Sequence, residues 1–140
     1  MSFNYQKFCL NVKEAVSSLY QITDIVEGEG IHFLQNGKDY YIAMRDFGSI
    51  GHISLHEYGA FDFRELTVAK QLRVLKNLSD NPSVSFYFNP QDKNLTVKSS
   101  GLYSEDGLNS EIVKHMYHAV SIATNMLKEV IPFIDGEEEV

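Results

Sequence analysis

The spacing of apolar residues changes several times along this 140-residue chain, and the order of those changes restricts the folds that it can adopt. Helices repeat apolar residues every three to four positions, whereas half-buried strands repeat them every two positions. The chain begins with one helical stretch and continues with three short strands, a second helix, two more strands and a long final helix. Its length suits one ordinary domain with a proper core. The sequence therefore predicts a single α+β domain.

Three helices are predicted from these repeats. The first covers residues 3–20, and the second covers residues 66–78, with Thr67 as its N-cap and Asn81-Pro82 as its end. The third runs from about residue 106 to 131, and its apolar positions cover roughly half of the helix circumference. A face of that width requires two packing partners. Both partners belong to this chain, or one of them belongs to another chain.

Two hairpins are predicted from turn residues. Asn36-Gly37 supplies a tight turn between strands at residues 31–34 and 40–44. The second of these strands is apolar at both parities, which is typical of a strand covered on both faces. A third strand follows, from about residue 50 to 56. Strands at residues 84–88 and 95–99 form the second hairpin, around the turn at residues 89–92.

The charge and the terminal segments narrow the setting of the protein. The net charge is −7, and the 12 basic residues are scattered, so neither nucleic acid nor an anionic membrane is an expected partner. The chain has no signal-like segment and no apolar stretch of membrane-spanning length, which predicts a cytoplasmic protein. Residues 135–140 are expected to be a flexible acidic tail, so the predicted domain is residues 1–134.

Histidine pairs are the first candidates for chemistry. His115 and His118 lie three residues apart on the final helix, and His52 and His56 share a parity on the third strand. A metal site needs three or four converging ligands, and neither pair has neighbouring residues that complete such a set. We therefore predict no metal site and interpret these histidines as structural or solvent-facing.

Catalytic signatures are absent from the sequence. Cys9, the single cysteine, lies on an apolar helix face, where a packing role is expected and no intramolecular disulfide is possible. The sequence has no nucleophile elbow and no phosphate-binding glycine loop. Four carboxylates that are close in sequence are expected to be solvated loop charges: Asp46, Glu57, Asp62 and Glu65. We predict no catalytic residue, no cofactor and a non-enzymatic protein.

Alternation within the strands predicts one polar sheet face. If the apolar positions of residues 53–55, 84–88 and 95–97 face the helices, the opposite face carries tyrosine, histidine and small hydroxyl groups. This composition is typical of a protein interface and also of an ordinary solvated sheet. On the interface interpretation, the candidate interaction residues are Tyr87, His52, His56, Lys98 and Ser85.

The pattern of the whole chain resembles the YbjN-like family of bacterial sensory transduction regulators, which shares the fold of type III secretion chaperones. The resemblance extends to about residue 134. It rests on the strand and turn at residues 33–38, the leucine-rich helix at 68–78, the aromatic strand at 84–88, the polar hairpin and the final helix ending in Ile131-Pro132-Phe133. It implies an α-β-β-β-α-β-β-α domain with helices packed on an antiparallel sheet, and it carries over no functional residues.

The resemblance also implies a function. Secretion chaperones of this fold act as dimers that hold an unfolded segment of a client protein. By analogy, we expect a bacterial, cytoplasmic homodimer that works as a chaperone-like or regulatory adaptor and binds another protein or a peptide segment. The alternative is a small-molecule sensor that holds an apolar ligand between the sheet and a helix, in a gap lined by Phe and Tyr.

Overall fold

The computed structural model describes residues 3–64, 66–77 and 84–130. This part of the chain forms three helices and six strands, which confirms the predicted α+β class and the predicted order of elements, with one strand added. The predicted tail at residues 135–140, the helix end at Asn81-Pro82 and the segment Ile131-Pro132-Phe133 lie outside it. The elements are α1 (Tyr5–Leu19), β1 (Gln21–Val26), β2 (Gly30–Gln35), β3 (Lys38–Asp46), β4 (Gly51–Asp62), α2 (Val68–Asn77), β5 (Ser85–Asn89), β6 (Asn94–Tyr103) and α3 (Ser110–Val130).

The six strands form one antiparallel sheet in the order β1-β2-β3-β4-β6-β5. The predicted turn between β2 and β3 is confirmed, because Asn36 and Gly37 have φ angles of 53° and 75°. The chain leaves the sheet after β4, forms α2 and returns with β5 and β6, and β6 then pairs with β4. Among the described strands, β1 and β5 are therefore the two edges of the sheet.

Strand β1 is the added strand, and a bulge explains why the sequence conceals it. Ile22 is opposite Phe33 and Ile25 is opposite Ile31, so both isoleucines lie on the face of the sheet that carries the core. They are three residues apart because the register shifts between Ile22 and Asp24. A bulge of this kind breaks the two-residue period by which strands are recognised.

All three described helices pack on one face of the sheet, called here the covered face. Phe8 and Val12 of α1 and Val113 and Val120 of α3 belong to one buried cluster with the central strands. Helix α2 contributes Val74 to a second, smaller cluster near the end of β4. Side chains that the covered face contributes to these clusters are Ile31, Phe33, Tyr40, Ile42, Met44, Ile53, Leu55, Leu95 and Val97.

The broad apolar face of α3 finds two packing partners within the chain. One is the sheet, at β4 and β6, and the other is α1. Ile122 and Met126 lie outside these contacts, and each is 58% exposed. The width predicted from sequence is therefore largely used inside the monomer.

Two expectations about the central strands are wrong. Strand β3 was expected to be covered on both faces, but the described helices cover only one, and Tyr41 and Ala43 on the other face are half-buried. Strand β4 continues to Asp62, well beyond the predicted end near residue 56. As a result Glu57 has the same parity as Ile53 and Leu55, and it is buried on the covered face, not in a solvated loop.

Candidate functional site

The face of the sheet opposite the helices, called here the open face, is the candidate functional site. None of the three described helices packs on it. It combines aromatic rings, hydroxyl groups and charges of both signs. Tyr58 belongs to it by its ring contacts, and the residues that strand register places on it include Asp24, His32, Leu34, Asp39, Tyr41, Ala43, Arg45, His52, Ser54, His56, Ser85, Tyr87, Thr96, Lys98, Ser100 and Leu102.

The five residues predicted as an interaction face all lie on the open face. Ser85, Lys98 and His56 form one row, because Lys98 is opposite both of the others. Tyr87 lies on the edge strand β5 and is 58% exposed. His52 lies on β4, opposite Leu102 of the neighbouring strand β6. The structure therefore brings the predicted residues onto a common surface, although Tyr87 and His52 lie at separate places on it.

A continuous row of rings crosses the central strands of the open face. His32, Tyr41, Tyr58 and His56 form this ring row. The centroids of His32 and Tyr41 are 4.5 Å apart, those of Tyr41 and Tyr58 are 6.1 Å apart, and those of Tyr58 and His56 are 5.2 Å apart. Rings at these separations form favourable aromatic pairs. The ring row is the largest aromatic feature of the open face.

His56 is held in its neutral form by its surroundings. Burial is the main cause, and the charges of Lys98 and Arg45 and the nearby His52 add to it, so that the pKa of His56 falls to about 4. The Ser54 hydroxyl lies 2.6 Å from His56 Nε2, and the two groups share a hydrogen bond. Such a ring is a weak base, and Ser54 is buried, so the pair is poorly suited to nucleophilic catalysis.

The half of the open face near β6 is electropositive. Burial and the charges of Arg45 and Lys98 also lower the pKa of His52. The His52 ring stacks on Phe47, with ring centroids 5.2 Å apart, and its Nδ1 atom is buried without a hydrogen-bond partner. Two cations and two neutral histidines thus share this half of the face.

The other half of the open face contains residues that sequence patterns did not identify as site residues. A shallow cavity of about 400 Å³, called here the corner pocket, lies where β1, β2 and β3 meet the end of β4. Its lining includes two carboxylates and three rings on the open face. The lining side chains on the open face are Asp24, His32, Asp39, Tyr41 and Tyr58. Asp24 was missed because strand β1 was not predicted, and Asp39 and Tyr41 were missed because the parity of β3 was ambiguous. Tyr58 was missed because β4 was predicted to end near residue 56, so a longer predicted strand would have identified it.

A second cavity lies between α1 and the β1–β2 end of the sheet, on the covered face. This α1 cleft has a volume of about 350 Å³ and a largely apolar lining that includes Tyr5, Cys9, Leu10, Ile25 and Met44. The Tyr5 hydroxyl donates to the backbone oxygen of Gly28 at 2.6 Å and closes one side. Cys9 is half-buried, and burial raises the pKa of its thiol, so the sulfur reacts more slowly than that of a free cysteine.

The four carboxylates that are close in sequence do not converge in the described residues. Glu57 lies in the core, where its Oε2 atom is 4.0 Å from Lys38 Nζ and its Oε1 atom has no hydrogen-bond partner. Asp62 pairs with Arg64 at the surface, at 2.6 Å. Asp46 is exposed and accepts a hydrogen bond from a backbone N–H group. Glu65 lies outside the described residues.

The described residues form neither a metal-binding group nor a membrane-spanning helix. Among residues 3–64, 66–77 and 84–130, no three His, Cys, Asp or Glu side chains form a group that would hold a metal ion. His115 and His118 are both exposed on α3. None of the described helices is long and apolar enough to cross a membrane.

Similarity to known proteins does not assign the site. No protein-family model matches this chain, and it matches no curated protein. Function is therefore inferred from the geometry and chemistry of the open face and the α1 cleft.

Proposed function

We propose that this protein is a non-enzymatic interaction domain that binds another protein, or an extended peptide segment of one, through the open face. The observation that carries the proposal is that the described helices leave one whole face of the sheet uncovered while that face displays a row of aromatic rings. Tyrosine and other aromatic residues are enriched at protein interfaces, where they bury a large area at low entropic cost.

The exposed apolar surface of this face favours a protein partner. Tyr58, Tyr87 and Leu102 are each more than half exposed, and Phe47 extends the same surface at the β3–β4 turn. Large aromatic side chains of this kind supply much of the binding energy in protein complexes. The edge strand β5, which carries Tyr87, pairs with no described strand besides β6, so its outer backbone groups suit an added strand. Both features suit an extended peptide.

The remaining parts of the proposal come from the resemblance to YbjN-like proteins. They are a chaperone-like or regulatory adaptor role in the bacterial cytoplasm and a homodimeric state. The antiparallel sheet with helices on one face agrees with the fold which that resemblance implies. A fold hosts many functions, so the partner is to be identified by experiment.

The proposal is tested by affinity capture of the tagged protein from its native cell lysate, followed by mass spectrometry. Three forms are compared: the unaltered chain, the double variant Tyr87→Glu/His56→Glu, and the control variant Leu72→Glu on α2, where Leu72 is 63% exposed. We expect a stoichiometric partner with the unaltered chain and the control, and none with the open-face variant. Equal capture by all three forms would contradict the proposal.

A second function, as a small-molecule sensor, is favoured by the α1 cleft. Its volume of about 350 Å³ is at the lower end of the range of ligand pockets, and its walls are largely apolar. Cys9 lines this cleft, so an occupying ligand would slow the reaction of the thiol with a maleimide. A metabolite that raises the melting temperature and protects Cys9 together would establish the sensor. A melting shift without protection would place the ligand elsewhere.

A further inference from the structure

We propose that the corner pocket binds the guanidinium group of an arginine side chain of the partner protein. This inference rests on the proposed function, because it assigns one specific contact within the open face. It identifies the partner by its chemistry: a segment that presents an arginine to the β1–β2–β3 corner.

The first argument is negative charge that has no ion-pair partner among the described residues. Asp24 and Asp39 are both exposed and line the pocket, and neither has an ion-pair partner among the described residues. The cations of the open face, Arg45 and Lys98, lie beside the histidines His52 and His56. The two carboxylates can therefore accept hydrogen bonds from an incoming cation. A guanidinium group can present two parallel N–H groups to one carboxylate.

The second argument is the presence of ring faces in the same cavity. Tyr41 lies between His32 and Tyr58, with centroid distances of 4.5 Å and 6.1 Å. The face of an aromatic ring carries partial negative charge and attracts a cation placed over it. Guanidinium is planar and weakly hydrated, so it stacks on such rings more readily than an ammonium group does.

The third argument is that the central ring is already fixed in place. The Tyr41 hydroxyl donates to the backbone oxygen of Glu29 at 3.4 Å. The Tyr41 ring lies directly against Gly30, in the space that a Cβ atom would need. A ring held in this way loses little freedom on binding, so more of the interaction energy is realised as affinity.

The composition of the pocket argues against a metal ion as its occupant. Two carboxylates are fewer than the six to eight oxygen ligands that calcium takes, and tyrosine ring faces do not ligate metals. Among the described residues, no group of three potential ligands includes Asp24 or Asp39. Carboxylates flanking rings are instead the combination that recognises an organic cation.

The test is an NMR titration of the isotope-labelled full chain with the tripeptide acetyl-Gly-Arg-Gly-amide at low salt. The control ligand replaces arginine by citrulline, which has nearly the same shape and no charge. We expect saturable shifts of the backbone amide signals of Asp24, His32, Asp39, Tyr41 and Tyr58 with the arginine peptide. Much smaller shifts are expected with citrulline. Equal shifts with both peptides, or shifts centred elsewhere, would overturn the proposal.

Matched variants separate the pocket from general charge effects. The double variant Asp24→Asn/Asp39→Asn should weaken binding of the arginine peptide roughly tenfold, because two carboxylate contacts are lost. The control variant Glu14→Gln/Glu129→Gln removes the same charge from exposed helix positions and should leave the affinity unchanged. Equal affinity of both variants would refute the assignment of the pocket.

The same variants distinguish failure of this inference from failure of the proposed function. If Asp24→Asn/Asp39→Asn leaves arginine binding intact while Tyr87→Glu/His56→Glu still abolishes partner capture, the open face binds a partner and the pocket assignment is wrong. If arginine binds the pocket but no form of the chain captures a partner, the pocket is real and the interaction function is wrong.

Discussion

His56 lies where the ring row of the open face meets its two cations, and this position makes the stability of the protein depend on pH. Its pKa is about 4 in the folded protein, against an ordinary value of 6.5. Between these two values the unfolded chain binds more protons than the folded one, so acidification favours unfolding. We expect His56 to lower the free energy of unfolding by about 1–3 kcal/mol as the pH falls through this window.

The measurement is urea unfolding of the unaltered chain and of His56→Gln at a series of pH values. Glutamine can still form a hydrogen bond with Ser54 and does not titrate, so the difference between the two curves isolates the histidine. The unaltered chain should lose more stability on acidification than the variant. Parallel curves would mean that His56 is protonated without penalty in the folded state.

Glu57 is a carboxylate in the core with incomplete pairing, and its removal should not harm the fold. One of its oxygens has no partner, and the nearest cation, Lys38 Nζ, is 4.0 Å from the other. Replacing a buried ionic group by an apolar one of similar size is often neutral or stabilising. We expect Glu57→Met to raise the free energy of unfolding by about 1 kcal/mol. A fall of similar size in urea unfolding would show that the carboxylate stabilises the core.

At the scale of the elements, α1 docks on the sheet through a close approach of Phe8 to Gly51. A Cβ atom at residue 51 would overlap the Phe8 ring, which is fully buried in the core. We expect Gly51→Ala to lower the free energy of unfolding by about 1–3 kcal/mol through overpacking. In the double variant Gly51→Ala/Phe8→Leu, the smaller side chain should relieve part of the cost, so the two changes should cost less together than their sum. Strict additivity would contradict the contact.

The elements also show what the sequence could predict. Helices and hairpins followed from local signals: the Asn36-Gly37 turn and the Thr67 cap, whose Oγ1 accepts from Lys70 N at 3.2 Å, are both as predicted. Strand β1 did not follow, because its bulge places Ile22 and Ile25 three residues apart. The length of β4 was missed too, and with it the burial of Glu57. The bulge in β1 and the length of β4 depend on pairing with distant strands, which the local spacing of apolar residues does not reveal.

The contrast between local signals and long-range pairing also explains which part of the candidate site could be predicted. Parity in β4, β5 and β6 was clear, so the half of the open face with His52, Ser85 and Lys98 could be predicted from sequence. The corner pocket lies on β1, which was missed, and on β3, whose apolar residues occupy both parities. Its two carboxylates, Asp24 and Asp39, line one cavity because the β1–β2 and β2–β3 pairings bring their strands side by side.

At the scale of the whole molecule, the described residues form two layers, with the helices on one face of the sheet and none of them on the other. We expect the homodimer proposed above to give a mass about twice the monomer mass of 15.9 kDa in light scattering after gel filtration, at concentrations of about tens of micromolar. A mass near that of the monomer would remove the homodimer from the proposal. Binding through the open face would still be open to test.

The most direct test of the central claim, that the open face binds a protein, is photo-crosslinking in cells from single positions. A benzophenone amino acid replaces Tyr87 or Leu102 on the open face, or Leu72 or Ile122 on the helices, and all four sites are between 53% and 63% exposed. We predict that positions 87 and 102 crosslink to the same protein and that positions 72 and 122 do not. Crosslinks from the helix positions alone would contradict the account.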